Sequence, residues 1–213
     1  MSTELLRRAP RPAAGRGDPG GGGPGGEGEN GGERPEVFYD PARFGLWLFL
    51  GTLTMMFIGF TSAYMVRRLS PDWAQLKPPG QLWVNTLVLL ASSGTLEAAR
   101  RRLRGWNVAG MAPWLLATGG LGALFVVGQL AAWSVLVSRG YFVSSNPHNS
   151  FFYLLSGVHG LHLVVGLIWF AVVLVKARRL AYTPGEDGLG MFAIYWHFLT
   201  GLWIYLMFLL FVF

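Results

Sequence analysis

The sequence has no cysteine among its 213 residues, which excludes a disulfide framework, a thiolate metal site and thiol redox chemistry. Charged residues are also scarce, at 13%, where a soluble domain carries about 25%. Apolar residues make up 52% of the chain, and the mean hydropathy is +0.40. Because the apolar residues occur in long blocks, these shortages exclude an ordinary water-soluble globule.

The chain also lacks a P-loop and a dinucleotide-binding glycine motif, so nothing in it predicts a phosphate cradle. Its net charge is nevertheless +6, and the pI is about 10.1. A basic chain often binds nucleic acid, but here the arginines flank apolar blocks and form no single stripe. We therefore expect no nucleic-acid partner, and we interpret the positive charge as a marker of membrane topology.

The first 40 residues differ in composition from the rest of the chain. Residues 20–26 are all glycine except for Pro24, and prolines and charges surround them. Such a segment buries too little apolar surface to offset its ordering entropy. We predict a disordered, Gly/Pro-rich cytoplasmic tail over residues 1–40, followed by a helical bundle over residues 41–213.

Five apolar blocks follow the tail, and each is long enough to cross a bilayer, which takes about 20 mostly apolar residues. Because lipid cannot satisfy backbone hydrogen bonds, these blocks must be helices. The sequence predicts an all-α membrane protein with five transmembrane helices in a bundle. Their predicted bounds are 44–66, 82–99, 113–137, 151–176 and 190–213.

The distribution of Lys and Arg between the loops predicts the orientation, because cytoplasmic loops carry the excess of positive charge. One side holds Arg34 and Arg43 before the first span, Arg100, Arg101, Arg102 and Arg104 after the second, and Lys176, Arg178 and Arg179 after the fourth. The other side holds fewer: Arg67, Arg68, Lys77 and Arg139. The N-terminus is therefore predicted in the cytoplasm and the C-terminus outside.

Few polar side chains lie inside the spans, and at membrane depth each is a candidate functional residue. We expect Asn85 and Gln129 to hydrogen-bond with neighbouring helices. Glu97 precedes Arg100 and Arg101 by three and four residues, so a local ion pair is the simplest interpretation.

The three histidines within the spans allow two interpretations. His159 and His162 share one face of the fourth span, and His162 and His197 fall at similar depths if the last two spans are antiparallel. Two facing imidazoles could ligate a b-type haem or a metal. Alternatively, each imidazole hydrogen-bonds a carbonyl or hydroxyl on a neighbouring helix, and the spacing alone favours this structural role.

Four stretches in fixed order resemble subunit III of the haem-copper oxidases, the cytochrome c and quinol oxidases. The match extends over about residues 44–213, and Gln129 fits a glutamine of that family. The stretches are LFLG at 48–51 with MFIGF at 56–60 and SAY at 62–64, NTLVLLAS at 85–92, SGVHGLH at 156–162 with Gly166, and YWHF at 195–198.

The resemblance implies the short, five-helix form of this subunit in a bacterial cell membrane. It implies a non-catalytic protein that packs on the catalytic subunit I, with subunit II in the same complex, and that stabilises turnover in aerobic electron transport. Haem and copper belong to the partner subunits, so none is expected here, while bound phospholipids are expected. Lys176 takes the place of a family arginine that contacts lipid phosphate. The resemblance suggests lipid binding by Lys176, His159, His162 and His197, and a structural role for Asn85, Gln129 and Trp196.

Three membrane glutamates that are frequent in the family are replaced in this chain, by Leu53, Ala132 and Gly190. Any role of those carboxylates is therefore not expected here. Three other functions stay open: a five-span b-haem anchor that oxidises quinol, an accessory subunit associated with nitric oxide reductases, and a small transporter.

Overall fold

The computed structural model describes residues 41–73, 80–105, 107–178 and 188–212. These residues form five α-helices and no strand: α1 (Pro41–Arg67), α2 (Gln81–Arg104), α3 (Val108–Ser138), α4 (Pro147–Arg178) and α5 (Gly188–Phe211). For this part of the chain the prediction of an all-α fold is confirmed. The predicted tail over residues 1–40, and the topology markers Lys77 and Arg179, lie outside the described residues.

Prolines and a capping side chain set several helix ends. Pro41 and Pro147 occupy the first positions of α1 and α4, where the missing N–H costs nothing. The side chain of Asn107 accepts a hydrogen bond from the Gly110 N–H at 2.7 Å and so caps α3. The helix contains the predicted span, which starts at about Pro113, and it begins earlier because Asn107 caps it.

Four of the five helices, α1, α3, α4 and α5, are long and apolar enough to cross a membrane. The exception is α2, whose sequence is the most polar of the five. Its buried residues recur every three or four positions and so form one stripe along the helix, which comprises Leu82, Asn85, Leu89, Ser92, Leu96, Ala99 and Leu103. This stripe packs mainly against α3 and also against α5.

The helices form a closed ring of four with a fifth at its side. Around the ring, α2 contacts α3, α3 contacts α4, α4 contacts α5, and α5 contacts α2. Helix α1 contacts only α4 and α5 among the described elements, and it buries only Leu50, Leu53, Phe57 and Tyr64. A hydrogen bond between Thr61 and the Tyr205 hydroxyl, at 2.9 Å, links α1 to α5.

Candidate functional site

Polar side chains from all four ring helices meet at one level inside the ring. We call this group the first polar layer, and it comprises Asn85 and Thr86 of α2, Gln129 of α3, His159 of α4 and Trp203 of α5. Asn85 donates to the Phe125 carbonyl at 3.0 Å and to Oε1 of Gln129 at 3.4 Å. The Trp203 indole donates to the Thr86 hydroxyl at 3.0 Å. These bonds confirm the expectation that Asn85 and Gln129 connect neighbouring helices.

A second polar layer lies two turns further along α2, and it comprises Ser92, Ser93, Thr118, Trp196 and His197. The Trp196 indole donates to the Ser92 hydroxyl at 3.0 Å, and that hydroxyl donates to the Thr118 carbonyl at 3.3 Å. One ring nitrogen of His197, Nδ1, is hydrogen-bonded to the Ser93 hydroxyl. Trp196 and His197 thus connect α5 to α2.

The histidines of the two last spans do not face each other. His197 is bonded to Ser93 of α2, whereas the His162 ring lies 6.4 Å from the ring of Phe57 on α1. Nδ1 of His162 donates to the Val158 carbonyl of its own helix at 2.7 Å. The two imidazoles therefore occupy different interfaces, and their orientation does not form a pair of axial haem ligands. Among the described residues, no group of three or more acidic or histidine side chains could hold a metal.

His159 is fully buried between aromatic rings. Its ring centroid lies 5.0 Å from that of Trp203 and 6.1 Å from that of Phe125. Neither ring nitrogen has a hydrogen-bond partner. The interpretation that each histidine bonds to a neighbouring helix therefore describes His197, while His162 bonds within its own helix and His159 bonds to nothing in the structure.

The predicted charged residues lie near the helix ends. Glu97 accepts from Arg100 at 3.0 Å and lies 3.7 Å from Arg101, so the predicted local ion pair is confirmed. Lys176 is in the last turn of α4, and its side chain is exposed. Of the four residues predicted to bind lipid, Lys176 alone is exposed, and the lipid role of all four stays a prediction.

The residues at the three glutamate positions belong mainly to the packed interior. Leu53 and Ala132 are buried, and Gly190 is half-buried in the first turn of α5. A carboxylate at either buried position would be largely out of contact with the surroundings of the protein. The loss of the glutamates is thus accompanied by apolar packing at two of the three positions.

Comparison with known proteins identifies the family. The family model for cytochrome c oxidase subunit III matches residues 26–213. The chain belongs to the cytochrome c oxidase subunit III family. It is 32% identical to cytochrome c oxidase subunit 3 of Thermostichus vulcanus, over 79% of this chain and 85% of that protein. It is 32% identical to cytochrome bo(3) ubiquinol oxidase subunit 3 of Pseudomonas putida and 28% identical to quinol oxidase subunit 3 of Bacillus subtilis. These two matches cover 75% and 76% of this chain, and 80% and 82% of the relatives.

Membership of the subunit III family and four long apolar helices make this a multi-pass bacterial membrane protein. The stretches that carried the resemblance contribute to both polar layers, through Asn85, Ser92, His159, Trp196 and His197. Sequence reasoning missed the hydroxyls of Thr86, Ser93 and Thr118, because Ser and Thr in helices commonly bond only to their own backbone. A usable signal was the seven-residue interval between Asn85 and Ser92, which places two polar residues on one face of α2.

The first polar layer depends on a close approach of α2 to Gly128 of α3. A Cβ atom at Gly128 would lie 3.0 Å from Cγ of Asn85 and closer still to its Oδ1. We expect Gly128→Ala to displace the Asn85 amide and to lower the free energy of unfolding by about 1–3 kcal/mol. The change is measured as a lower midpoint of thermal unfolding of the protein in lipid nanodiscs. Gly120→Ala is the matched control on the same helix, because a Cβ there meets nothing within 4 Å. Equal midpoints for the two variants would contradict the close approach.

Proposed function

We propose that this chain is the non-catalytic subunit III of a bacterial terminal haem-copper oxidase, which packs on the catalytic subunit I alongside subunit II. The observation that supports this most is the use of the family's polar motif residues. Asn85, Gln129 and Trp196 form hydrogen bonds to other helices of the same ring. Their polar groups therefore help to hold the bundle together. The outer faces of the helices carry large exposed apolar side chains, such as Trp47, Met55 and Ile168, which suit contact with lipid and an intramembrane partner.

We infer that α2 is the fifth membrane span. Its 24 residues extend about 36 Å at 1.5 Å per residue, against about 30 Å for the hydrocarbon core. The polar side chains of Asn85 and Ser92 are hydrogen-bonded to α3, and that of Thr86 to α5. Its outward face carries the exposed apolar side chains of Trp83, Val84, Leu87 and Leu90. A helix of low mean hydropathy can cross a bilayer when its polar groups are paired inside the protein.

The orientation with the N-terminus in the cytoplasm can be tested directly, since the chain contains no cysteine. We expect a single cysteine introduced as Ser144→Cys, in the loop between α3 and α4, to react with a membrane-impermeant maleimide on intact cells. A cysteine introduced as Arg104→Cys, at the end of α2, should react only after permeabilisation. Both side chains are exposed in the structure. The reverse pattern of labelling would show that the orientation is inverted.

The proposed complex is tested by purifying the tagged chain from its native membranes in a mild detergent. We expect a larger haem-containing oxidase subunit to co-purify in a fixed ratio, and the visible spectrum to show its Soret band. The double variant His162→Phe/His197→Phe should retain the same ratio of haem to protein, because the two imidazoles lie at different helix interfaces, beside Phe57 of α1 and Ser93 of α2. Loss of haem in the double variant would favour the quinol-oxidising b-haem anchor. A chain that purifies without an oxidase core would contradict the proposed function.

We also propose that Lys176 binds the phosphate of an anionic phospholipid at the cytoplasmic end of α4. An exposed lysine there can act as a point charge on the lipid headgroup, and such a contact is worth about 1 kcal/mol. We expect Lys176→Gln to lower the amount of co-purifying anionic phospholipid by up to about five-fold, as measured by mass spectrometry. Arg139→Gln, an exposed basic residue after α3, is the control and should not change it. An equal loss in both variants would remove the specific role of Lys176.

A further inference from the structure

Two side chains in the first polar layer hold buried polar atoms that bond to nothing. They are Nε2 of Gln129 and both ring nitrogens of His159, and the residues are 4% and 0% exposed. A polar atom without a partner is costly in any protein interior and most of all inside a bilayer, where no bulk water can reach it. Buried polar atoms of this kind call for an explanation, and an ordered water molecule is a common one.

The free atom of Gln129 is fixed as a donor by its neighbour. Nδ2 of Asn85 donates to the Phe125 carbonyl, which can only accept. The same Nδ2 contacts the amide of Gln129, so the contacted atom must be the acceptor Oε1. The remaining atom of this amide is therefore the NH₂ group, with two hydrogens to donate.

Gln129 and His159 lie at the same level of neighbouring helices. Gln129 precedes Trp133 by one turn of α3, and His159 follows Ser156 by one turn of α4. The Trp133 indole donates to the Ser156 hydroxyl at 3.3 Å, which fixes the register of the antiparallel pair. The His159 ring also lies beside the Phe125 ring, one turn from Gln129. The two side chains nevertheless make no direct hydrogen bond, since Nε2 of Gln129 and both imidazole nitrogens are unbonded.

The unpaired atoms have the chemistry of a water site. A neutral imidazole offers one N–H donor and one acceptor nitrogen, and the amide offers a donor. A water molecule can accept from the amide and donate to the imidazole, and buried waters typically make about three such bonds. The Trp203 indole cannot replace it, because its N–H already donates to Thr86.

We propose that one water molecule is bound between Gln129 of α3 and His159 of α4 and bridges the amide Nε2 to a ring nitrogen of the histidine. The bridge adds a hydrogen-bonded link between α3 and α4, which the other hydrogen bonds of the first polar layer do not connect. It also gives His159 an internal partner in place of a lipid. This site follows from the packing of the ring and is independent of the oxidase assembly proposed above.

Magnetisation transfer from water tests the bridge on the full chain in lipid bilayers, by solid-state NMR with ¹⁵N-labelled histidine. The chain has four histidines, and His159→Phe identifies the His159 signals by their disappearance. We expect rapid transfer from water to a ring nitrogen of His159, and a several-fold weaker transfer in Gln129→Leu. His162 is the internal control, since its Nδ1 bonds to the Val158 carbonyl and its signal should not change in Gln129→Leu. Absence of transfer to the His159 signals of the unaltered protein would overturn the proposal.

The sign of a stability change gives a second, independent test. If the water is present, His159→Phe removes a bonded group and should lower the midpoint of thermal unfolding by several degrees. The double variant His159→Phe/Gln129→Leu should then cost less than the sum of the single variants, because both lose the same bridge. If the ring nitrogens are truly unpaired, replacing them with carbon should raise the midpoint. A raised midpoint would therefore overturn the proposal.

Discussion

The structure depends on the pairing of the polar residues of α2 inside the bundle. Asn85 and Ser92 are buried, and in the membrane span that we propose for α2 each unpaired group would cost several kcal/mol. Their partners come from α3 and α5: the Phe125 and Thr118 carbonyls and the Trp196 indole. Helix α2 is consequently stable at membrane depth only in contact with these two helices. This constraint closes the ring of four helices and leaves α1, which has few internal polar bonds to other helices, at its side.

Close packing of side chains against glycines of neighbouring helices makes this pairing possible. A Cβ atom at Gly122 would lie 2.8 Å from the ring of Trp196, and one at Gly166 would lie 3.0 Å from the ring of Tyr195. The large aromatic side chains of α5 therefore fill space that glycines on α3 and α4 leave open. Since lipid supplies no hydrophobic driving force between helices, tight packing and interhelical hydrogen bonds must hold them together. The two features depend on each other, because Trp196 both packs against Gly122 and donates to Ser92.

Helices α1, α3, α4 and α5 could be predicted from the sequence because their apolar stretches are long enough to cross lipid. The partners of the polar residues could be predicted only in part. Asn85 and Gln129 have few ways to be satisfied in a helical membrane protein, so contact between helices was the natural expectation. The directions of His162 and His197 could not be predicted, because depth along two helices follows from residue counts whereas rotation about the helix axes depends on packing. Whether the two histidines form a pair of haem ligands or two unrelated hydrogen bonds therefore depends on the rotation of each helix about its axis.

The distribution of polar groups also bears on the three replaced glutamates. Leu53 and Ala132 are buried in the hydrophobic core, where a carboxylate at either position would be costly without a hydrogen-bonding partner. The polar groups that remain are mostly paired across the ring, and the outer surface is largely apolar. In a protein of this kind most buried polar side chains form hydrogen bonds that hold its own helices together. It is therefore suited to supporting a partner subunit, and the water bridge that we propose between Gln129 and His159 extends the same pairing of buried polar atoms to α4.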